Sequence, residues 1–476
     1  MSKPLVLFDL TRLVTAAGRT APTGIERAEY AYARWLLGHT QTHVRFVITS
    51  GGAIRLVEQD AVPAFLDRQA DAWAFGRRTY CAADAIRNVD TFLRGGAAPR
   101  PPKDAHLSGE ERQLREARAQ GPATGIAGWA QTMAARWAGE PLGASLDRWG
   151  LRRPVVYLRA SLDRLEQGEA VARLKQRGAR MVVLWHDLIP IDYPEFVRPQ
   201  TIGQCAARLR MVARHADGVV AVSRYSADRL AAELGRRRPP TIVAHFGMDG
   251  PEPDGTDSLP PLADKPFFLV ISTIEARKNH QLLLQIWRRF VAEHGAAAPK
   301  LVIVGKRGWE ASATNAILDR CSELDGHVYE AGPVPDAALA VLRRRARAVL
   351  MPSHVEGYGM PVTEALSAGT PVIASDIPAF REISRGAAEL IDPLDGLGWA
   401  RAILDYHDDM SPRLAAARAR ARAYRVPRWE DYFATVGAFV EEVGGAVASR
   451  DVAGRAAQRE LAFAAIAEPA VRLGRN

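Results

Sequence analysis

The run VLMPSHVEGYGMPVTEALSAGTP, residues 349–371, decides the fold, because it reads as a buried strand, a glycine-rich loop and a helix in direct succession. The apolar residues 349–351 predict the strand, and Pro361 fits the first position of the helix. Gly369 then ends the helix, and Pro371 begins the next strand. The free N–H groups at such a helix start form an anion site.

The same alternation of strands and helices continues along the chain on both sides of this run. Short apolar segments rich in Val, Ile and Leu are typical of buried parallel strands. The predicted strands are Leu5–Leu10, Val44–Ile48, Val155–Leu158, Met181–Trp185, Val219–Val222 and Thr241–Val243 in the first half, and Phe267–Ser272, Leu301–Val304, Val349–Met351 and Pro371–Ala374 in the second. Helical patterns such as Ile202–His215 and Gln281–His294 separate them. The pattern predicts an α/β fold with parallel sheets.

The length of the chain predicts two domains, since 476 residues exceed what one core holds. The stretch from Gly250 to Pro261 contains four prolines and two glycines and is the best linker. We therefore expect two doubly wound, Rossmann-like domains at 1–250 and 266–430, with a linker at 251–265 and a helical tail at 431–476. Ligands of such sheets bind outside the carboxyl ends of the strands, so the site should lie in the cleft between the domains.

Residues 60–150 interrupt the alternation. Helical patterns at Ser108–Arg118 and Trp129–Trp137 predict an inserted helical subdomain, and the alternative is a basic amphipathic surface that docks on a membrane.

The composition is that of a reduced globular protein, which we expect to be cytoplasmic. No window approaches the roughly 18 apolar residues of a membrane span, and the three cysteines have no metal or redox spacing. The net charge of +9 either reflects a general bias toward Arg or provides a basic surface. Such a surface would suit nucleotide phosphates or the anionic inner face of the cytoplasmic membrane. No nucleic-acid motif accompanies the charge, so nucleic acid is not an expected partner.

Two glutamates and two adjacent cations carry the candidate chemistry. Glu356 lies in the glycine-rich loop, and Glu364 is expected in the first turn of the helix; each carboxylate can accept bonds from a pair of vicinal hydroxyls, as on a sugar and a ribose. Arg277 and Lys278 follow the first strand of the second domain, where two cations suit a diphosphate and would stabilise its growing charge as a glycosidic bond breaks.

The first half offers two further candidates. Residues 23–27, Thr-Gly-Ile-Glu-Arg, follow the first strand and open a helix, which fits either a glycine loop or a simple helix cap. His186 ends a strand, a position that suits a catalytic residue, although a single His there can also be structural.

Residues 266–410 resemble the retaining GT-B glycosyltransferases called glycosyl transferases group 1, or glycosyltransferase family four. The resemblance lies in Arg277-Lys278, Leu301–Gly305, Glu330–Val334, Pro352-Ser353, the two glutamates, Pro371–Ser375 and Glu382. Tyr358 stands where the family more often has Phe. The resemblance implies a GT-B architecture, in which two Rossmann-like domains face a cleft.

The resemblance also implies roles for individual residues. Arg277 and Lys278 would hold the diphosphate, Glu356 the donor sugar and Glu364 the ribose. The remaining expected donor-binding residues are Gly24, Val334, Gly359 and Met360. His186 and Glu356 are the expected catalytic residues.

The function implied is transfer of a hexosyl group from a nucleotide-diphosphate sugar to an acceptor hydroxyl with retention of configuration. Family members near capsule and O-antigen gene clusters suggest a glycan or lipid-linked oligosaccharide acceptor in surface polysaccharide synthesis, with peripheral membrane contact left open. No Asp-x-Asp pair occurs, so neither a metal nor a cofactor is expected. The alternatives are a nucleotide-sugar epimerase or sugar phosphorylase on the same fold, and a non-enzymatic scaffold, which would bind no nucleotide.

Overall fold

The computed structural model describes residues 3–17, 21–39, 43–50, 52–77, 80–99, 142–149, 153–166, 168–248 and 256–445. The helices predicted at 108–118 and 129–137, the first part of the predicted linker and the tail beyond residue 445 lie outside these ranges.

The N-terminal domain is built on a seven-stranded sheet in the order β3-β2-β1-β6-β7-β8-β9. The strands of this half are β1 (Leu5–Asp9), β2 (Val44–Ser50), β3 (Ala53–Leu56), β4 (Gly76–Arg77), β5 (Tyr80–Cys81), β6 (Val155–Arg159), β7 (Arg180–Trp185), β8 (Gly218–Ala221) and β9 (Thr241–Val243). All pairings in the large sheet are parallel except that of β2 with β3, and β4 and β5 form a separate small ribbon. The helices are α1 (Thr11–Thr15), α2 (Gly24–His39), α3 (Val62–Phe75), α4 (Ala82–Leu93), α5 (Leu142–Trp149), α6 (Glu169–Gln176), α7 (Ile189–Asp192), α8 (Pro199–His215) and α9 (Arg224–Leu234).

The C-terminal domain is built on a six-stranded, all-parallel sheet in the order β12-β11-β10-β13-β14-β15. Its strands are β10 (Phe267–Ile271), β11 (Lys300–Val304), β12 (Val328–Gly332), β13 (Ala348–Met351), β14 (Val372–Ser375) and β15 (Glu389–Ile391). The helices of the second half of the chain are α10 (His280–His294), α11 (Ser312–Arg320), α12 (Asp336–Arg345), α13 (Met360–Ser367), α14 (Pro378–Ser384), α15 (Gly396–His407), α16 (Pro412–Arg422) and α17 (Trp429–Gly445). The first strand of each domain lies inside its sheet and is buried along its whole length.

The ten strands predicted from apolar runs are all present, each within two residues of its expected bounds. The sequence patterns miss the edge strands β3, β12 and β15. Their residues are only partly buried, so polar side chains interrupt the apolar run that identifies an interior strand.

Helix α17 returns to the N-terminal domain and packs on its sheet. A Cβ placed on Gly218 of β8 would meet the ring of Phe439, and Tyr432 Oη lies 2.8 Å from Tyr32 Oη of α2. The chain crosses between domains where the Met248 N–H donates to the Pro427 carbonyl at 2.8 Å. The chain therefore passes between the two domains twice, near Met248 and near Pro427, and the two connections lie side by side.

Helices α3 and α4 link the domains at a third place, because they pack against α12 and the edge strand β12. Phe92 stacks on Tyr329 with ring centroids 5.3 Å apart, and the Ala263 N–H donates to Asp90 Oδ1 at 2.7 Å. The exposed edge of the C-terminal sheet is thereby covered by the first half of the chain. Among the residues that the structure describes, no helix is both long and apolar enough to cross a bilayer.

We expect Gly247→Ala to destabilise the protein by about 2 kcal/mol, within the range of overpacking a filled site. The new Cβ would lie 2.2 Å from the backbone nitrogen of Trp429, at the crossing between domains. Gly203→Ala is the matched control, because a Cβ there meets nothing within 4 Å and helix α8 should gain up to about 1 kcal/mol. Urea unfolding of both variants measures the difference. Equal stability of the two variants would show that the backbone at Gly247 is not tightly packed against Trp429.

Candidate active site

Two loops of the C-terminal domain bring the predicted cations and one predicted glutamate into a single cluster. Arg277 and Lys278 lie in a short 3-10 turn after β10, and Glu356 lies in the loop after β13. β10 and β13 are neighbours in the sheet, so both loops leave the same edge side by side. The His354 N–H donates to the Arg277 carbonyl at 2.8 Å and ties the loops together.

Glu356 is the centre of this cluster and is only 6% exposed. Its Oε2 accepts a hydrogen bond from Arg277 Nη1 at 2.7 Å, and its Oε1 accepts one from Ser353 Oγ at 2.8 Å. Lys278 Nζ also contacts Oε1. Arg277 Nε pairs in addition with Glu275 Oε1 at 2.7 Å. Two cations and two carboxylates thus form a buried network without net charge.

The cluster keeps the Glu356 carboxylate ionised. Burial on its own would raise the pKa of Glu356, but the charges and hydrogen bonds of Arg277 and Lys278 outweigh burial and lower the pKa to about 2. Burial and the adjacent Arg277 charge lower the pKa of Lys278. Burial and the Lys278 charge likewise lower the pKa of His280, at the start of α10, to about 3, so that imidazole is neutral.

Helix α13 follows the Glu356 loop, and a glycine sets where it begins. Gly359 has a φ of +105°, and a Cβ there would lie 2.4 Å from the Phe380 ring. The helix begins at Met360, so Pro361 is its second residue and not the first. Glu364 therefore lies in the second turn, and the expected first-turn position is wrong. Gly369 ends the helix as predicted, with a φ of +73°.

The glycine loop of the N-terminal domain faces this helix start. Gly24 is the first residue of α2, and a Cβ there would lie 3.1 Å from Met360 Sδ. Glu26 fixes the loop: its Oε2 accepts a bond from the Thr23 N–H at 2.7 Å, and its Oε1 lies 2.9 Å from Arg12 Nη2. The structure thus brings Gly24 and Met360, two predicted donor-binding residues, together across the cleft.

The segment around His186 contacts the Glu356 loop directly. A Cβ on Gly357 would lie 2.4 Å from the His186 carbonyl oxygen, so this contact requires glycine. Ser223 Oγ donates to the Gly357 carbonyl at 2.6 Å, and Ser226 Oγ donates to the His186 carbonyl at 2.7 Å. The expected catalytic residues His186 and Glu356 are therefore on adjoining sides of the cleft.

The imidazole of His186 has a defined tautomer. Nε2 lies 3.0 Å from the Ala160 carbonyl, which can only accept, so Nε2 carries the proton and donates. Burial lowers the pKa of His186, with the Ala160 bond and the Asp187 charge opposing it. The ring is therefore neutral near pH 7, with the lone pair of Nδ1 as its acceptor.

Glu364 lies apart from Glu356, in a cavity of about 1360 Å³ between the domains. Arg343 Nη1 donates to Glu364 Oε2 at 3.3 Å. In the same cavity, Arg27 Nη1 and Nη2 of the N-terminal domain donate to the two Asp336 oxygens at 2.9 and 2.5 Å. The cavity thus begins at α13 and is walled by both domains.

Val334 is 3% exposed and its side chain belongs to the apolar core. Only its backbone is left to contact a ligand, so its predicted donor-binding role would be a main-chain one.

Sequence reasoning missed several residues of the site. Glu275 stands two positions before Arg277, and the proximity of opposite charges in a loop was the available signal. Asp336 and Arg27 are 309 residues apart, and no local pattern connects them. Within the ranges described, no group of three or more His, Cys, Asp or Glu side chains is arranged to hold a metal ion.

Residues 256–423 match the model of the family described as Glycosyl transferases group 1. The match covers 168 of the 476 residues, so the similarity to this family is that of the C-terminal domain. The matched region contains the Arg277–Lys278–Glu356 cluster and helix α13, the features on which the resemblance in the sequence rested.

Parts of this chain are similar to curated mannosyltransferases. The chain is 28% identical over 232 residues to the serotype-specific mannosyltransferase WbdA of Escherichia coli, covering 44% of this chain and 28% of that protein. It is 34% identical over 171 residues to the O-antigen chain mannosyltransferase B of Escherichia coli, covering 36% and 44%. The chain thus spans less than half the length of either relative.

The crystal structure of Anabaena HepE in complex with UDP and glucose superposes with a TM-score of 0.54, at 14% identity, over 92% of this chain and 99% of HepE. The whole-chain architecture is therefore GT-B, as the resemblance implied.

We expect Glu356→Gln to lower the free energy of unfolding by about 3 kcal/mol near pH 6, because it leaves two buried cations with one carboxylate. Glu364→Gln is the matched control, since Glu364 pairs with Arg343 Nη1 at a longer distance of 3.3 Å and its loss should cost less. The sign of the pH dependence follows from a carboxylate pKa lowered from 4.5 to about 2. The stabilisation is present above pH 4.5 and is lost as the pH falls toward 2.

Urea unfolding of wild type and Glu356→Gln from pH 6 to pH 3.5 measures this, and the gap between them should narrow by about 1 kcal/mol over that range. A gap that stays constant or widens in acid would show that Glu356 is not held as a low-pKa carboxylate.

Proposed function

We propose that this chain transfers a hexosyl group from a nucleoside-diphosphate sugar to an acceptor hydroxyl, with retention of configuration, in the synthesis of a bacterial surface polysaccharide. The observation that carries the proposal is the buried Arg277–Lys278–Glu356 cluster beside the start of helix α13. It combines cations for a diphosphate with a carboxylate for sugar hydroxyls. Two relatives are a serotype-specific mannosyltransferase and an O-antigen chain mannosyltransferase, and the structurally similar HepE binds UDP and glucose; both findings support the proposal.

The diphosphate would bind where Arg277 and Lys278 meet the N–H groups at the start of α13. Both cations are already paired with Glu356, so the incoming phosphate would share them with this carboxylate. Their charge is fixed in place before the reaction and needs no rearrangement as the leaving group becomes more negative.

In the transfer step the bond between the anomeric carbon and the phosphate oxygen breaks, and a bond from that carbon to the acceptor oxygen forms on the same face. The acceptor hydroxyl proton passes to the leaving phosphate oxygen, so atoms and charge balance. Glu356 would accept hydrogen bonds from the sugar hydroxyls and hold the ring over the diphosphate.

His186 would act as a neutral acceptor. Its Nε2–H is committed to the Ala160 carbonyl, so only Nδ1 can take a hydrogen bond from a sugar or acceptor hydroxyl. Its proposed part is to orient a hydroxyl and not to carry charge.

The acceptor is proposed to be a glycan or lipid-linked oligosaccharide that enters the cleft from the N-terminal domain. Peripheral contact with the inner face of the cytoplasmic membrane is part of this proposal and is supported by the net charge of +9.

The first test is a product assay with and without excess chelator. We expect nucleoside diphosphate to be released only as an acceptor is glycosylated, because a transferase couples the two. Transfer should persist in chelator, since Arg277 and Lys278 can neutralise the diphosphate. Transfer that stops in chelator and returns with added divalent metal would contradict a metal-independent reaction. Nucleotide-sugar turnover without an acceptor product would instead favour an epimerase.

The second test separates the two glutamates. Glu356→Gln should lower kcat at least tenfold, because its bonds to the sugar strengthen in the transition state, while free nucleoside diphosphate binds at least as well to the released cations. Glu364→Gln should weaken the free nucleotide by about three- to tenfold through lost ribose bonds. Calorimetry with nucleoside diphosphate and steady-state kinetics on both folded variants measure this. Loss of the bare nucleotide in Glu356→Gln, but not in Glu364→Gln, would mean that the roles are reversed.

A further inference from the structure

Three neighbouring strands of the N-terminal sheet are followed by polar side chains at their carboxyl ends. Arg12 follows β1, Asp163 follows β6 and His186 follows β7. The strands are adjacent in the order β1-β6-β7 and pair in parallel, so the three residues leave the same edge of the sheet side by side. Only His186 belongs to the expected site, and the proposed transfer step assigns no part to Arg12 or Asp163.

Arg12 joins Asp163 to the glycine loop of the N-terminal domain. Its Nη1 donates to Asp163 Oδ2 at 2.7 Å, and its Nη2 lies 2.9 Å from Glu26 Oε1. Glu26 in turn accepts the Thr23 N–H of the loop that faces Met360. One guanidinium therefore holds both the Asp163 carboxylate and the loop that meets helix α13 across the cleft.

Asp163 is also close to the imidazole of His186. The Ala160 carbonyl, which accepts the His186 Nε2–H at 3.0 Å, stands three residues before Asp163. Burial lowers the pKa of His186, and among the smaller influences the Asp163 carboxylate raises this pKa while the Arg12 guanidinium lowers it. The Asp163 carboxylate and the His186 ring are therefore neighbours on the wall of the cleft that the N-terminal domain forms.

Half of the Asp163 carboxylate is left for a ligand. Oδ2 is bound by Arg12, whereas within the described ranges Oδ1 has no hydrogen-bond partner, and the side chain is 29% exposed. Burial would raise the pKa of Asp163, but the charge and the hydrogen bond of Arg12 outweigh burial and lower it. A carboxylate of low pKa is a poor base, but it remains a strong acceptor for the hydrogen bonds of hydroxyl groups.

The loop that carries Asp163 is fixed on both sides of this residue. Arg159 Nη2 contacts the Asp163 carbonyl, and Arg164 Nη1 donates to the Thr49 carbonyl near the end of β2 at 3.2 Å. Arg164 has a φ of +58°, in the left-handed region that residues with a side chain seldom adopt. Such a conformation persists only where the surrounding contacts hold it. The Asp163 carboxylate is thus preorganised, which lowers the entropy cost of binding a ligand.

We propose that Asp163 is an acceptor-binding residue, whose Oδ1 accepts a hydrogen bond from a hydroxyl of the acceptor sugar while Arg12 holds the carboxylate in place. The inference rests on the proposed function, because it takes the acceptor to be a glycan that enters the cleft from the N-terminal domain. Asp163 holds one hydroxyl of the acceptor sugar, and another hydroxyl of the same sugar faces the donor beside His186. The proton of the bound hydroxyl stays on the sugar, so Asp163 positions the acceptor and takes no part in proton transfer.

The test uses the full chain, GDP-mannose and UDP-glucose as donors, and the methyl glycosides of mannose, glucose and galactose as acceptors. Asp163→Asn keeps the shape of the side chain and removes its charge. We expect it to raise the KM for the best glycoside about tenfold with kcat little changed, since a hydrogen bond to a charged group becomes a neutral one. Calorimetry should find the Kd of UDP or GDP unchanged, because the donor cluster lies on the other domain. Asp163→Glu keeps the charge and should restore part of the lost affinity.

Asp217→Asn is the matched control. Asp217 directly precedes β8, at the opposite end of the same sheet, and its partly buried carboxylate pairs with Arg180 Nη1 at 3.2 Å. This substitution also removes the charge of a paired carboxylate, but it should leave the KM for the glycoside unchanged. Urea unfolding confirms that all three variants are folded before their kinetics are compared.

An unchanged glycoside KM in Asp163→Asn, or an equal rise in Asp217→Asn, would overturn acceptor binding by Asp163. A loss of UDP or GDP binding as large as the rise in glycoside KM would overturn it as well, because Asp163 would then only support the glycine loop through Arg12 and Glu26. A wild type that binds a nucleoside diphosphate but glycosylates none of the three methyl glycosides would overturn the sugar subsite and leave the donor site standing. A wild type that binds no nucleoside diphosphate would overturn the proposed function together with the inference.

Discussion

The site depends on the burial of Glu356 between Arg277 and Lys278. A carboxylate that is 6% exposed would be protonated or expelled unless cations held it, and two cations this close to each other need the carboxylate in return. Each partner is therefore a condition for the other. The parallel pairing of β10 with β13 makes the arrangement possible, because it aligns two loops that are 78 residues apart in the chain.

The same cluster orders the charged groups of the site before a ligand binds. The formal charges of the cluster cancel in the free protein. Arg277 and Lys278 are therefore held in place and oriented by Glu275 and Glu356 before any phosphate binds. A diphosphate that approaches adds charge to a network that is already ordered, which lowers the entropy cost of assembling the site. Glu356 remains ionised across the physiological range because its pKa is held near 2. The Glu356 carboxylate can then accept hydrogen bonds from hydroxyl groups through lone pairs that Arg277 and Lys278 do not occupy.

The sequence predicted those parts of the molecule whose signals are local. Interior strands such as β10 and β13 are continuous apolar runs, and the glycines and Pro361 of the α13 loop mark its geometry within a dozen residues. The edge strands β12 and β15 were missed because they are only partly buried and polar side chains interrupt their apolar runs. The start of α13 was displaced by one residue because Gly359, in the left-handed conformation, caps the helix ahead of Pro361. A contact such as that of Arg27 with Asp336 had no signal, since it joins residues brought together only by domain packing.

Domain packing is also what makes the two halves a single site. Without any ligand, Ser223 already donates to the Gly357 carbonyl, and the N–H groups of Arg224 and Tyr225 at the start of α9 donate to Glu382 of the other domain. His245 Nε2 lies 2.6 Å from Glu382 Oε1 and adds to the same contact. The bonds from Arg224 and Tyr225 use backbone N–H groups at a helix start, where an acceptor is required in any case, so they hold the domains together at little cost in side-chain entropy. A ligand bound at Glu356 would therefore meet a cleft whose walls are already set by Gly357 and Glu382, and its own binding energy would go to the contacts that distinguish one donor from another.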